Sequence, residues 1–231
     1  MKKKSVIISV GAIVVIIAFA LAISFVFSDN GKIPEDNVEN SFNIDGTWVV
    51  VANYTNDIPV FVENQFMNFN KNEASIYKDT SDTPFAKSVY EINDSNQLIL
   101  SDISREYKVA PKTDNCVRLY DTATTYMLLV RNSTQENKTS PVTESFLQGK
   151  WNVVLKAESL NNGEVMSFEN NHLEYFKNSG DKPFVVSDFI IKDDIISIDS
   201  LGLNMRCFKN DENNIIFVEE SGVVWELTKC S

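Results

Sequence analysis

Short stretches in which hydrophobic and polar residues alternate follow one another along the chain from about residue 44 onwards. In the first of them, Trp48, Val50 and Ala52 lie on one face of an extended strand. Clusters such as Asn93-Asp94-Ser95-Asn96 separate the stretches and are typical of turns. No stretch after Ser28 shows a convincing 3.6-residue period, so the pattern predicts β-strands throughout.

The same series of predicted strands occurs twice. Residues 66–92 can be laid over residues 165–191 without a gap, and nine of the 27 positions are identical. Upstream of these segments, Gly46-Thr47-Trp48 matches Gly149-Lys150-Trp151. Self-similarity over such a length indicates that one domain is duplicated.

Two domains follow from this duplication. We predict repeat 1 at residues 44–131 and repeat 2 at residues 146–231, joined by a polar linker at residues 132–145. Each repeat holds eight short predicted strands, and eight antiparallel strands leave two exposed edges unless the sheet closes on itself. The sequence therefore predicts an all-β fold of two tandem small eight-stranded antiparallel barrels.

A tryptophan near the start of each repeat is matched by a basic residue near its end. The pairs are Trp48 with Arg131 and Trp151 with Lys229. Gly-x-Trp on the first strand, with a basic residue on the last strand, resembles the lipocalin (calycin) pattern, and the resemblance covers the two repeats only. It implies that the indole closes one end of a barrel while the cation packs across it. Lys229 departs from the family's arginine, and we expect a weaker closure there because it lacks the planar guanidinium.

The N-terminal segment is basic and then strongly apolar. Lys2, Lys3 and Lys4 precede Val6–Phe27, a run of 22 residues that would extend about 33 Å as a helix, long enough to span a bilayer. We predict a single-pass transmembrane anchor at residues 1–28 with a cytoplasmic N-terminus, followed by a linker at residues 29–43. The alternative is a cleaved signal peptide, and both interpretations place the barrels outside the cytoplasm.

Charge and composition narrow the possible functions. The chain carries a formal charge of −11, and the part after the three N-terminal lysines carries −14, so binding to nucleic acid is not expected. His172 is the sole histidine, and we predict no catalytic, cofactor-binding or metal-binding residue. Cys207 and Cys230 both lie in repeat 2, and whether they pair is left open.

One further motif is repeated, an Asp-x-Pro-Phe element before the middle of each domain. We favour a structural role, in which the proline sets a turn and the phenylalanine enters the core. The alternative is a loop that contacts a partner. The residues concerned are Asp82, Pro84 and Phe85 in repeat 1 and Asp181, Pro183 and Phe184 in repeat 2.

These observations predict a non-enzymatic binding or interaction module of the cell envelope, held by its N-terminal helix and open to a protein or a small hydrophobic ligand. A lipocalin-like carrier of a small hydrophobic ligand is the first alternative. Because a short eight-stranded barrel is just wide enough for its own side chains, we expect a filled interior instead. An enzyme built on a calycin-like barrel is the second alternative.

Overall fold

A computed structural model describes residues 42–78, 82–133, 141–156, 159–161 and 163–230. These residues form two closed antiparallel β-sheets in tandem, which confirms the predicted pair of eight-stranded barrels. The predicted anchor at residues 1–28 lies outside the described residues. Within the described part, no helix has the length and apolar character that a membrane crossing needs.

Barrel 1 closes because its first strand pairs with its last. β1 pairs with both β3 and β9, and the remaining strands pair in chain order. The short strand β2 pairs with the second half of β1, outside the closed circuit. The strands are β1 (Gly46–Thr55), β2 (Ile58–Phe61), β3 (Gln65–Asn70), β4 (Glu73–Lys78), β5 (Ala86–Ile92), β6 (Gln97–Leu100), β7 (Arg105–Thr113), β8 (Cys116–Thr122) and β9 (Thr125–Asn132).

Barrel 2 repeats this topology strand for strand. β10 pairs with β12 and β18, and the short β11 pairs with the end of β10. A one-turn helix, α1 (Glu144–Leu147), precedes the barrel. The strands are β10 (Gly149–Lys156), β11 (Ser159–Leu160), β12 (Val165–Glu169), β13 (His172–Phe176), β14 (Val185–Lys192), β15 (Ile195–Ile198), β16 (Leu203–Lys209), β17 (Asn214–Glu219) and β18 (Val224–Lys229).

Asparagine and aspartate make the tight hairpins possible. Three of the two-residue turns place both residues at positive φ, as type I′ turns require, and these residue types tolerate that conformation better than most. The pairs are Asn56-Asp57, Asn170-Asn171 and Asp193-Asp194, with φ between 48° and 63°.

Aromatic side chains fill the interior of barrel 2. Phe168 packs edge-on against Phe189 and Phe217, with ring centroids 5.3 and 6.4 Å apart. Trp151 and Trp225 are also fully buried in this cluster. Barrel 1 has a similar interior cluster built around Trp48. The buried side chains of each barrel thus form an apolar core inside the closed sheet.

The two barrels pack against each other through a third apolar cluster. It draws on β1, β3, β7, β8 and β9 of barrel 1 and on β10, β17 and β18 of barrel 2, with Phe208 of β16 packed against it. A β-bulge between Val50 and Ala52 turns the end of β1 so that Tyr54 faces this cluster. Tyr54 stacks on Tyr126 at 4.4 Å.

The barrels point in the same direction. We call the end of each barrel that holds Trp48 or Trp151 the tryptophan end, and the opposite end the loop end. At the loop ends the Tyr54 hydroxyl donates to the Gly222 carbonyl at 3.2 Å. At the tryptophan ends the Ser133 amide donates to the Asn210 carbonyl at 3.2 Å. Because like ends meet, both loop ends belong to one side of the barrel pair.

Candidate interaction surface

The tryptophan end of barrel 1 is closed by the chain segment that enters it. The Trp48 indole is fully buried and donates to the Ile44 carbonyl at 2.7 Å. The Arg131 guanidinium carbon lies 4.3 Å from the centre of the Trp48 ring. Its nitrogens donate to the backbone carbonyls of Asn43, Asp45 and Asp114 at 2.7–2.8 Å. The structure thus brings Trp48 and Arg131 together.

A looser version of this arrangement closes barrel 2. The Trp151 indole donates to the Leu147 carbonyl at 2.7 Å, and Leu147 itself is fully buried. The Lys229 ammonium lies 5.3 Å from the Trp151 ring and donates one bond of 3.4 Å to the Phe146 carbonyl. The structure therefore also brings Trp151 and Lys229 together, with fewer and longer contacts than Arg131 makes.

The glycine of each Gly-x-Trp is explained by its backbone conformation, and Gly46 also by the closeness of Arg131. Gly46 has a φ of +116°, and a Cβ atom there would lie 3.0 Å from an Arg131 nitrogen. Gly149 has a φ of +108°. A side chain at either position would be strained, because L-residues rarely adopt such values.

The Asp-x-Pro-Phe elements do not bury their phenylalanines, and the preferred structural interpretation of this motif is wrong on that point. Phe85 is 69% exposed and Phe184 is 52% exposed. The Phe85 amide donates to the Ile76 carbonyl at 2.7 Å, and the Phe184 amide donates to the Tyr175 carbonyl at 2.9 Å. Both loops are therefore fixed in the same way, with the ring outside the core.

The remaining motif residues shape these loops at the surface. Asp82 and Asp181 are exposed, whereas Pro84 and Pro183 are half-buried. Asp181 accepts a 2.9 Å hydrogen bond from Asn178 within its own loop. Each proline thus sets the backbone, as predicted for a turn, but it directs the following ring towards solvent.

Both loops lie at the loop ends of their barrels, where further apolar side chains are exposed. They connect β4 to β5 and β13 to β14, and the strand pairing puts these connections opposite the tryptophans. Ile58 and Val60 on β2 and Leu160 on β11 are also exposed. Apolar side chains exposed at equivalent places in two domains are typical of an interaction surface. We call this set, Phe85, Ile58, Val60, Phe184 and Leu160, the loop-end surface.

A polar cluster under Phe184 distinguishes barrel 2. The Lys156 ammonium donates to the Glu164 carboxylate at 3.3 Å and to the Tyr175 hydroxyl at 2.9 Å, and Tyr175 also donates to Glu164. The ammonium lies 4.9 Å from the Trp225 ring centre. The Phe184 ring centre is 4.5 Å from that of Tyr175, so the exposed ring extends an aromatic wall.

This cluster was not predicted from the sequence. The aligned residues of repeat 1 are Asn53, Gln65, Ile76 and Met127, which have neither charge nor aromatic rings. A difference between the repeats could have indicated it. Repeat 2 has charged and aromatic residues at positions where repeat 1 has none.

Other candidate chemistry is sparse among the described residues. His172 begins β13, and its Nδ1 lies 3.1 Å from the exposed carboxylate of Asp188. Within the described ranges, no group of three histidine, cysteine or acidic side chains is placed to hold a metal ion. Cys207 and Cys230 are not joined by a disulfide. Cys116 and Cys207 are buried, and Cys230 is half-buried.

Comparisons with known proteins add little. No model of a known protein family matches the chain, and no curated protein matches it. Among solved structures, the chain is similar to a protein of unknown function from the DUF3598 family of Nostoc punctiforme, at 9% identity. The match covers 80% of this chain and 96% of that chain, with a TM-score of 0.29. A likeness this loose carries no argument about fold or function.

Proposed function

We propose that this chain is a non-enzymatic interaction module, anchored in a membrane by its N-terminal segment, that displays two lipocalin-like barrels outside the cytoplasm. The single observation that carries the proposal is the exposure of Phe85 and Phe184 at equivalent places in the two barrels. A buried phenylalanine contributes to folding, whereas a ring that is largely in solvent contributes less, and so an exposed ring repeated in both barrels supports contact with a partner.

The direction of the barrels supports the same proposal. The described chain enters barrel 1 at residue 42, beside Trp48, with the Phe42 ring 6.0 Å from the indole. The loop-end surface lies at the opposite end of the barrel. Both halves of that surface face the same side, because like ends of the barrels meet. One partner can therefore contact both barrels at once.

The contacts at the tryptophan ends support the lipocalin-like part of the proposal. A cation packs over the first-strand tryptophan in both barrels. The carrier alternative is not favoured, because aromatic and aliphatic side chains occupy the described interior of each barrel.

Site-specific photocrosslinking tests the interaction proposal. A photoreactive phenylalanine analogue is placed at position 85 or 184 of the full-length chain, in membranes of the cells that make it. Positions 94 and 150, which are exposed at the tryptophan ends, serve as matched controls. We expect a discrete crosslinked product from positions 85 and 184 alone. No product at either position, or the same product at all four, would overturn the proposal.

Fractionation tests the anchoring separately. We expect the full chain in the membrane fraction, with both barrels cleaved by a protease that is added to intact cells. A chain that lacks residues 1–28 should leave the membrane fraction. Full-length protein in the soluble fraction, or barrels protected from the protease, would contradict the anchored arrangement.

A further inference from the structure

Glu226 is a carboxylate buried between the barrels. It lies on β18, is 3% exposed, and faces barrel 1. Its Oε1 accepts a 2.8 Å hydrogen bond from the Asn115 amide, and its other oxygen accepts from the Thr113 hydroxyl. Both of these donors belong to barrel 1. The hydrogen bonds of this side chain are therefore lost when the barrels separate.

The surroundings of this carboxylate are largely apolar. Its strand neighbours, Leu155 on β10 and Ile216 on β17, both belong to the apolar cluster between the barrels. The aligned residue of barrel 1 is Leu128, which is fully buried in the same cluster. The fold thus accepts an apolar side chain at this position, and a buried charge is costly unless it is well compensated.

The charged groups nearby oppose ionisation. Burial is the main reason why the pKa of Glu226 is raised above its ordinary value of 4.5. The two hydrogen bonds from barrel 1 lower it, whereas Asp114 on the β7–β8 turn and Asp211 on the β16–β17 turn raise it. Within the same interface, the Arg118 guanidinium packs over the Tyr126 ring at 4.9 Å.

We propose that Glu226 is a proton-operated latch between the two barrels, so that the barrels pack more firmly in acid than at neutral pH. When the barrels separate, the carboxylate becomes hydrated and its pKa returns towards 4.5. The stabilisation from this group is complete below that value and is lost as the pH rises through the raised pKa of the packed state. Acidification therefore strengthens the contact between the two barrels.

Hydrogen exchange of the full chain in lipid nanodiscs measures this effect. Rates between pH 5 and pH 8 are corrected for the intrinsic pH dependence of exchange. Protection of β8, β17 and β18, which line the interface, is compared with that of β5 and β14. We expect interface protection to fall with rising pH, by up to roughly tenfold for each unit by which the pKa is raised. Protection of β5 and β14 should not follow it.

Substitutions identify the responsible group. Glu226→Gln keeps the shape and imitates the protonated acid: its oxygen can accept from the Asn115 amide, and its NH2 group can donate to the Thr113 hydroxyl oxygen. We therefore expect it to remove the fall in interface protection between pH 5 and pH 8. Asp211→Asn should move the midpoint to lower pH, and Thr113→Val should move it to higher pH. Glu219→Gln is the matched control, because Glu219 is also buried but accepts from Trp225 and Ser221 of its own barrel. A Glu226→Gln chain that keeps the wild-type pH dependence, or a wild-type chain without any, would overturn the latch.

Discussion

Arg131 and Lys229 occupy aligned positions, yet they hold their barrels with different numbers of bonds. Arg131 donates to three backbone carbonyls, whereas Lys229 donates one longer bond to a carbonyl. Arg131→Lys should therefore lower the free energy of unfolding by about 1–3 kcal/mol, because a point-like ammonium cannot reach all three acceptors. Urea unfolding followed by tryptophan fluorescence measures this change.

The reciprocal substitution is the control for this prediction. Lys229→Arg should leave stability unchanged or raise it, because the larger planar group can reach additional carbonyls around Trp151. A greater loss from Lys229→Arg than from Arg131→Lys would contradict the account of the two closures.

The cysteines provide a second prediction for single residues. Cys207 is buried inside barrel 2, and burial raises the pKa of its thiol, so the reactive thiolate is scarce. Cys230 is only half-buried. We expect Cys230 to react with a thiol reagent before Cys116 and Cys207, in the folded chain at pH 8. Persistence of the fast reaction in a Cys230→Ser chain would show that another thiol is accessible.

The Asp-x-Pro-Phe loops make a prediction for whole elements. Phe85→Ser should change the free energy of unfolding by less than about 0.5 kcal/mol, because its ring is exposed. Phe184→Ser should cost no more than about 1.5 kcal/mol, because its half-exposed ring contacts only the edge of the core through Tyr175. Phe69→Ala, which empties a buried site on β3, should cost about 3–5 kcal/mol. Thermal unfolding of the three chains compares them, and a core-like loss from either serine substitution would be inconsistent with the exposed rings.

The longer strands could be predicted from the sequence, and the duplication helped because each strand pattern occurs in both repeats. The short strands β2 and β11 were not predicted, because β2 has four residues, one of them Pro59, and β11 has two. Phe85 was assigned to the core because an apolar residue after a proline turn commonly packs inwards. Only the backbone path, fixed by the bond to Ile76, shows that its ring lies outside.

The sequence contains an indication that the barrels contact each other, but a search for alternating apolar and polar residues does not show it. Strands β1, β8 and β17 contain nearly continuous apolar runs, Val49–Ala52 in β1 being the clearest. Apolar and polar residues alternate in a strand that has one face in solvent, but they do not alternate in a strand that is buried on both faces. These runs predict a second buried face, but its partner surface depends on three-dimensional contacts between distant residues that no local pattern specifies.

At the scale of the whole molecule, Gly222 tests how closely the barrels approach. It has a φ of +87°, and a Cβ atom there would lie 2.7 Å from a ring carbon of Tyr54. Gly222→Ala should therefore reduce hydrogen-exchange protection along the interface strands, in addition to a backbone cost of about 1–2 kcal/mol. Gly202→Ala is the control, because Gly202 has a φ of +61° but open space around it. Equal losses of interface protection in both chains would mean that Tyr54 does not limit the approach.

The barrels meet mainly through corresponding strands, β1, β8 and β9 of barrel 1 and β10, β17 and β18 of barrel 2. Identical subunits that associate through the same side of each form twofold homodimers, and here the two copies belong to one polypeptide. Because the two barrels belong to one chain, their association does not depend on the concentration of the protein in the cell. A single chain also allows the halves to diverge: barrel 2 has Glu226 where barrel 1 has Leu128, a difference that two identical subunits could not have.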